Sequence, residues 1–544
     1  MKRIVVLIIA SLLVLGVVLP GCGEAHVIKI AVCGPMTDIV GQNHWDGATM
    51  AVEEINDAGG VDVGGTMYDI QLVEVETNEI LDSSGADGVT ALTAVIDDVD
   101  FVVGGFRTEA VAPYREVAMD AEKIFMDCGA ATGALQFSVV EDYDKYKYWF
   151  KATPYNEVFL CTSMLKLTAS AIANLVGYLK ACEGAGYPYK DEDYAITGAG
   201  TKADPYVVKV AIFGETLSWC ADIVALAWQR LPTLLMPSKN ITLNITGTWL
   251  VPDTAVAIGA VMGQIAATKP HAIFTIFSGP VGKVYSKARA DYNAGVGLPA
   301  MSIGINVEGQ LQGMADFTED GCEYDIMLDT WAENMSITSK TVDWFNDFVD
   351  AYDDYPLYTA ATYDAIYSLK AAIEATDSLD SDTLVAYLET HAYTGVAGTT
   401  AYYPWPAINL GGGNWALNET QVRDLYDLDS YGWNYTQSEW LCAASGGPHI
   451  AHDIVYGPGY QTGIGTQWQN VEGTLRKVGW WPALIPGLEA LAGLNPLQLQ
   501  AIVGSGTVAA LWEMGIIDQY GFWNFAYDGT STIQIPVGWW INLP

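Results

Sequence analysis

The side chains able to do covalent or metal chemistry are few, and their spacing does not suit it. The chain has 544 residues with six histidines and eight cysteines. No Cys-x-x-Cys pair occurs, so neither a zinc ribbon nor a thioredoxin-type dithiol is expected. His449, His452 and Asp453 are close enough in sequence to share a cation. Three such residues in a loop serve equally well on a surface or as caps, and no metal or cofactor is expected. A Gly-x-Ser-x-Gly elbow, a His-Glu-x-x-His helix and a Walker loop are missing, since Gly282-Lys283 lacks the upstream glycine and the following Ser or Thr. Acid pairs such as Asp97-Asp98 and Asp353-Asp354 arise by chance in a chain with 64 Asp+Glu. A hydrolase on an α/β scaffold is the enzyme to consider, but no catalytic residue is assigned and an enzyme is not expected.

Non-covalent recognition is better supplied. The chain carries 18 Trp, 30 Tyr and 14 Phe, and Trp and Tyr present an apolar face with a polar edge to a small ligand. Its formal net charge of −39 repels phosphate backbones, so nucleic acid is excluded as a partner. A hydrophobic share of 51% is enough for packed cores and rules out wholesale disorder.

The N-terminus reads as an export signal over residues 1–21. Lys2 and Arg3 precede an apolar run, Ile4 to Leu19, that is short for a spanning helix. Leu19-Pro20-Gly21-Cys22 resembles a lipidation motif, although Pro20 is unusual there. Cys22 is the expected lipid-bearing first residue of the mature chain; plain cleavage is the alternative. Export permits disulfides among Cys33, Cys128, Cys161, Cys182, Cys220, Cys322 and Cys442, whose odd number leaves at least one unpaired.

Strands and helices must take turns to position these residues. Val27–Cys33, Tyr68–Val75, Phe101–Val103 and Ile124–Met126 read as strands. Helices between them are marked by apolar residues at one-face spacing, such as Ala48, Ala51, Val52 and Ile55. The pattern restarts with a long helix near Val158–Leu179 and strands at Val207–Phe213, Thr246–Val251 and Ala272–Phe277. Two such sets imply two α/β lobes with parallel sheets covered on both faces. Residues 183–206 read as an insertion, and a last strand pair sits near Gly465–Val478. Residues 401–449 read as an elaborated loop insertion and 485–544 as a Trp-rich C-terminal extension.

Several fragments in order carry a family resemblance. Ile28-Lys29-Ile30-Ala31-Val32, Asp46-Gly47-Ala48, Ala51-Val52-Glu53-Glu54-Ile55-Asn56 and Gly59-Gly60 are followed by Val99 to Gly105, Gly129-Ala130-Ala131-Thr132, Tyr148 to Ala152 and Ala361-Thr362-Tyr363-Asp364-Ala365. Together they resemble the type I periplasmic substrate-binding proteins of ABC importers, in the branched-chain amino-acid-binding group. The resemblance covers residues 27 to about 480. It implies two doubly wound parallel-sheet lobes joined by a three-crossing hinge: 27–152 with 330–400, and 153–329 with 450–484.

It also implies a cleft that closes on a small polar ligand, with the lobes acting as a clamp. By resemblance Thr108 and the Ala130-Ala131-Thr132 segment hold a ligand carboxylate. Arg107, one of seven arginines, adds a bidentate anion contact or pairs with an acid. Trp219 covers the ligand from lobe two, with Phe277 and Ser278 beside it. Asn306 stands where amino-acid binders often place an acid, which leaves an amino acid, an amide or a short carboxylate as ligand. The implied partners are that ligand and an ABC permease complex, with the protein a monomer anchored through Cys22 outside the cytoplasmic membrane. A ligand-sensing or surface-layer protein of the same fold is the alternative.

Overall fold

The computed structural model describes residues 26–234, 240–402, 451–454, 461, 463–481, 517–518, 521–522, 526–527 and 533–543. The export segment, Cys22, Cys442, His449 and most of 401–449 and 485–544 lie outside the described residues.

The first sheet is built from β1 (Val27–Gly34), β2 (Val61–Val63), β3 (Thr66–Glu76), β4 (Phe101–Gly104), β5 (Phe125–Asp127) and β6 (Trp149–Lys151). Their spatial order is β2-β3-β1-β4-β5-β6, parallel throughout except for the β2–β3 hairpin. Central strands such as β4 are buried along their whole length, which is why they read as unbroken apolar runs. Helices α1 (Ile39–Asp57), α2 (Ala86–Thr93), α3 (Thr108–Asp120), α4 (Ala134–Glu141) and α5 (Tyr143–Tyr146) connect them.

Helix α6 (Glu157–Gly184) opens the second set, capped by Asn156, whose side chain accepts from the N–H groups of Val158 and Phe159. Among the described residues it is the one helix long and apolar enough to cross a membrane. Its apolar window is 67% buried, and it packs on α7 (Ser218–Leu234), as a core helix does. The second sheet contains β7 (Tyr206–Glu215), β8 (Ile241–Val251), β9 (Ala272–Phe277), β10 (Met301–Asn306) and β11 (Ile326–Asp329), closed by the hairpin β12 (Ile464–Val471) and β13 (Thr474–Trp481). The order is β13-β12-β11-β10-β9-β7-β8. Helices α8 (Gly259–Ala267), α9 (Val281–Gly295) and α10 (Met314–Thr318) flank it.

Helices α11 (Thr341–Tyr352), α12 (Thr362–Thr376) and α13 (Ser381–Leu388) return to the first sheet, where α12 packs on α1. His44 Nδ1 meets Thr359 O at 3.0 Å and Thr362 Oγ1 donates to His44 O at 2.7 Å, fixing that return. The chain therefore passes between the sheets after β6, after β11 and before β12.

His452 packs inside the protein. It is fully buried, stacks on Phe150 at 4.0 Å, and its two ring nitrogens meet Trp149 O and Glu389 Oε1. The six described cysteines are all unbonded, five of them buried. Segment 533–543 lies on the second lobe, with Trp540 1% exposed and its indole N–H donating to Pro299 O.

Candidate functional site

Both sheets send the C-terminal ends of their strands toward one cleft, where helix N-termini also converge. β4 ends in Gly104 and Gly105, both in the left-handed region at φ +106° and +89°. A Cβ at Gly104 would fall 2.1 Å from Cys33 O, so glycine is required for the turn into α3. That turn delivers Phe106, Arg107 and Thr108 to the cleft. Gly129 likewise sits too close to Gly105 O, at 1.8 Å from an added Cβ, for any larger residue. On the other lobe β7 leads to Trp219 in the first turn of α7, and β9 leads to Ser278.

A cavity of about 70 Å³ lies between them, several times the space one water needs. Arg107, Thr108, Ala131, Trp219 and Ser278 all line it. Ala130, Thr132, Phe277 and Asn306 do not, although each stands next to a residue that does. Gly129 and Ala131 face the cavity while Ala130 is fully buried and Thr132 is 6% exposed. Ser278 faces it, while Phe277 joins Phe213 and Tyr285 in the core at 5.1 and 5.2 Å. Ile305 and Val307 face it, so Asn306 points away. The Asn306 amide donates to Gly282 O and Ser286 Oγ and accepts from Gly309 N, holding the start of α9.

Much of the remaining wall comes from the crossings and from lobe one's return, among them Thr153, Pro154, Tyr155, Asp329, Thr330, Tyr358 and Gln461. The sequence offered no local motif for these, because their role comes from chain segments that meet only after folding.

Residues 27–405 match the family model described as periplasmic binding protein. The chain belongs to this family. The family binds small ligands outside the cytoplasm. No curated protein matches it. Solved structures share its type I fold, three of them as follows. The ABC transporter substrate-binding protein from Sphaerobacter thermophilus is 13% identical with TM-score 0.53, over 84% of this chain and 97% of that one. The branched-chain amino acid transporter substrate binding protein from Streptococcus pneumoniae, in complex with isoleucine, is 15% identical with TM-score 0.53, over 83% and 99%. A solute binding protein of an ABC transporter from R. palustris, in complex with 4-hydroxybenzoate, is 16% identical with TM-score 0.53, over 83% and 96%.

The cleft of this periplasmic binding protein is electrically balanced. Arg107 Nη1 donates to Glu79 O and Ile80 O at 3.1 Å each, and Nη2 pairs with Asp253 on the opposite lobe. The ion pair is one of the two roles read from sequence, and Arg107 also lines the cavity. Asp329 pairs with the fully buried Lys477 at 2.7 Å and also accepts from Thr466 Oγ1 and the Thr330 and Trp331 N–H groups.

Behind the walls stand buried glutamates whose burial pushes their carboxyls up against the donors that hold them. Glu79, at about 7, takes the Arg107 N–H at 2.5 Å. Glu157, at about 8, takes the Gly133 N–H at 2.6 Å, while its own N–H donates to Ala131 O.

Proposed function

We propose that this protein is the lipid-anchored solute receptor of an ABC importer, and that it captures a small carboxylate with an apolar body, such as an amino acid or a short organic acid. Lobe one is assigned 27–152 with 330–400, and lobe two 153–329 with 450–484. The observation that carries the reading is the small cavity with a helix N-terminus and a hydroxyl on one side, and aromatic cover on the other. Thr108 begins α3, where free N–H groups and the positive end of the helix dipole suit a carboxylate. Phe106, Tyr155, Trp219 and Tyr358 offer apolar surface around it. Because the wall's own charges are paired, the ammonium of an amino acid would have to be held by neutral acceptors, which favours the organic acid of the two. The isoleucine and 4-hydroxybenzoate bound by structural neighbours are both of this type.

The test is thermal melting with L-isoleucine and 4-hydroxybenzoate. A ligand at 100 times its Kd adds about 2.7 kcal/mol of stability, and one of these probes is expected to raise the melting temperature accordingly. Thr108→Ala should then weaken binding by about 1–3 kcal/mol, since a charged oxygen loses a donor in a closed site. Equal binding by the variant would remove the carboxylate from α3.

Anchoring has its own test. Cys22→Ser should move the protein from the membrane to the soluble exported fraction. Unaltered membrane association would refute the lipid anchor.

A further inference from the structure

Glu215 ends β7, is fully buried, and accepts from two lobe-two residues that line the cavity, Trp219 and Ser278, and from the neighbouring Gly279. Its Oε1 takes the Trp219 indole N–H at 3.2 Å, the Ser278 N–H at 2.9 Å and the Ser278 hydroxyl. Its Oε2 takes the Gly279 N–H at 3.2 Å. Trp219 and Ser278 line the cavity. Gly279 abuts the pair that spans the cleft, since a Cβ there would stand 3.3 Å from Arg107 Nη2 and 3.3 Å from Asp253 Cβ. One carboxylate thus holds both ligand-facing residues and the seat of the cross-lobe contact.

Three of these donors are N–H groups that fit only an acceptor, while the Ser278 hydroxyl can turn and accept. A proton on Oε2 would face the Gly279 N–H, and a proton on Oε1 could go only to a reversed Ser278 hydroxyl, so protonation breaks or reverses one bond and leaves the others without their charge assistance. The groups facing Glu215 offer no charge to oppose that. Among the described residues no lysine or arginine pairs with it. Asp253 on the loop after β8 carries the same sign and is already answered by Arg107. Cys220 on α7 and Tyr358 from lobe one are the neutral titratable groups that feel its charge.

We propose that Glu215 is the positioning residue of the closing lobe: its carboxylate sets Trp219 and Ser278 against the ligand, and its protonation releases them, so that ligand capture weakens in acid. This rests on the cavity being the ligand site. Burial raises the Glu215 carboxyl to about 7, with the Ser278 and Gly279 donors opposing the rise and Asp253 adding to it. If only the ionised form is competent, apparent affinity is reduced by the ionised fraction, which is roughly one-tenth a pH unit below the midpoint.

The first measurement uses no ligand, so it stands apart from the ligand reading. The Trp219 indole N–H resonance, assigned by its loss in Trp219→Phe, is followed by NMR across neutral pH. It should shift with a midpoint of about 7, lose that shift in Glu215→Gln, and keep it in Glu79→Gln. The second uses 4-hydroxybenzoate, whose affinity for the wild type should fall roughly tenfold between about pH 8 and about pH 6, and less in Glu215→Gln. A wild-type indole resonance that does not respond to pH overturns the assignment. So does a titration that Glu215→Gln leaves unchanged, and so does a pH profile of binding identical in the two proteins. Should Glu215→Gln fail to fold, the wild-type resonance decides.

Discussion

Replacing Lys151 by methionine is expected to cost about 3–5 kcal/mol of stability, because it strands a buried carboxylate. Lys151 and Asp127 face each other across the β5–β6 ladder, are both fully buried, and meet at 2.6 Å. The other oxygen of Asp127 accepts from the N–H groups of Gly129 and Ala130. The pair therefore also fixes the loop that presents Ala131 to the cavity. Burial already holds the Asp127 carboxyl above its ordinary range even with the ammonium opposing it. Without the ammonium it rises further. A carboxyl raised in the folded state costs nothing below its unfolded value, about 3.9, and a growing amount as pH rises through the folded one. The deficit of Lys151→Met relative to wild type should thus be smallest in acid and largest near neutrality. Asp127→Asn combined with Lys151→Met should recover much of it, since the amide oxygen still accepts and no charge is left. Denaturant unfolding at two pH values measures all three proteins. A single-variant loss under about 1 kcal/mol would show that the pair is not buried as described.

The same region shows where sequence reading stops. β1, β3 and β9 were legible because each is six or more residues long and rich in Val, Ile, Leu or Phe. A strand of three or four residues shows no period of its own: β4 and β5 were read from their place between helices, whereas β6 and β11 were missed. Their ends carry Lys151 and Asp329, so the two buried ion pairs that frame the cleft were missed with them. The binding loops could be placed by order and spacing, but their facing could not. Ser278 and Phe277 differ by one residue, and only the register of β9 decides which faces the cavity. Arg107 was a two-way choice for a related reason. Its partner Asp253 lies 146 positions away, on a loop brought opposite only when the second sheet stands against the first. Trp219 was placed at the cleft, but the acid that orients it, four residues earlier, has no signature beyond being a glutamate at a strand end.

The other large effect is expected at that cross-lobe pair. Asp253→Ala should raise the ligand's Kd by roughly 30- to 150-fold, equivalent to about 2–3 kcal/mol. This is less than a fully buried pair is worth, because the Asp253 side chain is 14% exposed while that of Arg107 is 3% exposed. The pair can form only when the lobes are together, so its loss penalises the closed state and spares each lobe's own fold. Arg107 keeps its bonds to Glu79 O and Ile80 O in lobe one, so the variant leaves it in place with an uncompensated charge facing lobe two. A second contact spans the same gap: Glu109 on α3 accepts from Ser218 N and Oγ at the start of α7, at 2.8 and 2.7 Å. That one is exposed, and Glu109→Gln should change affinity by less than about 1 kcal/mol. Closing contacts govern release more than capture, so the Asp253→Ala effect should appear mainly in the off-rate. Stopped-flow release of the bound probe, with small-angle scattering for the ligand-free radius, separates the possibilities. An unchanged off-rate together with a lower ligand-free melting temperature would make the pair part of the static fold. A faster off-rate with unchanged melting makes it the clasp of the clamp.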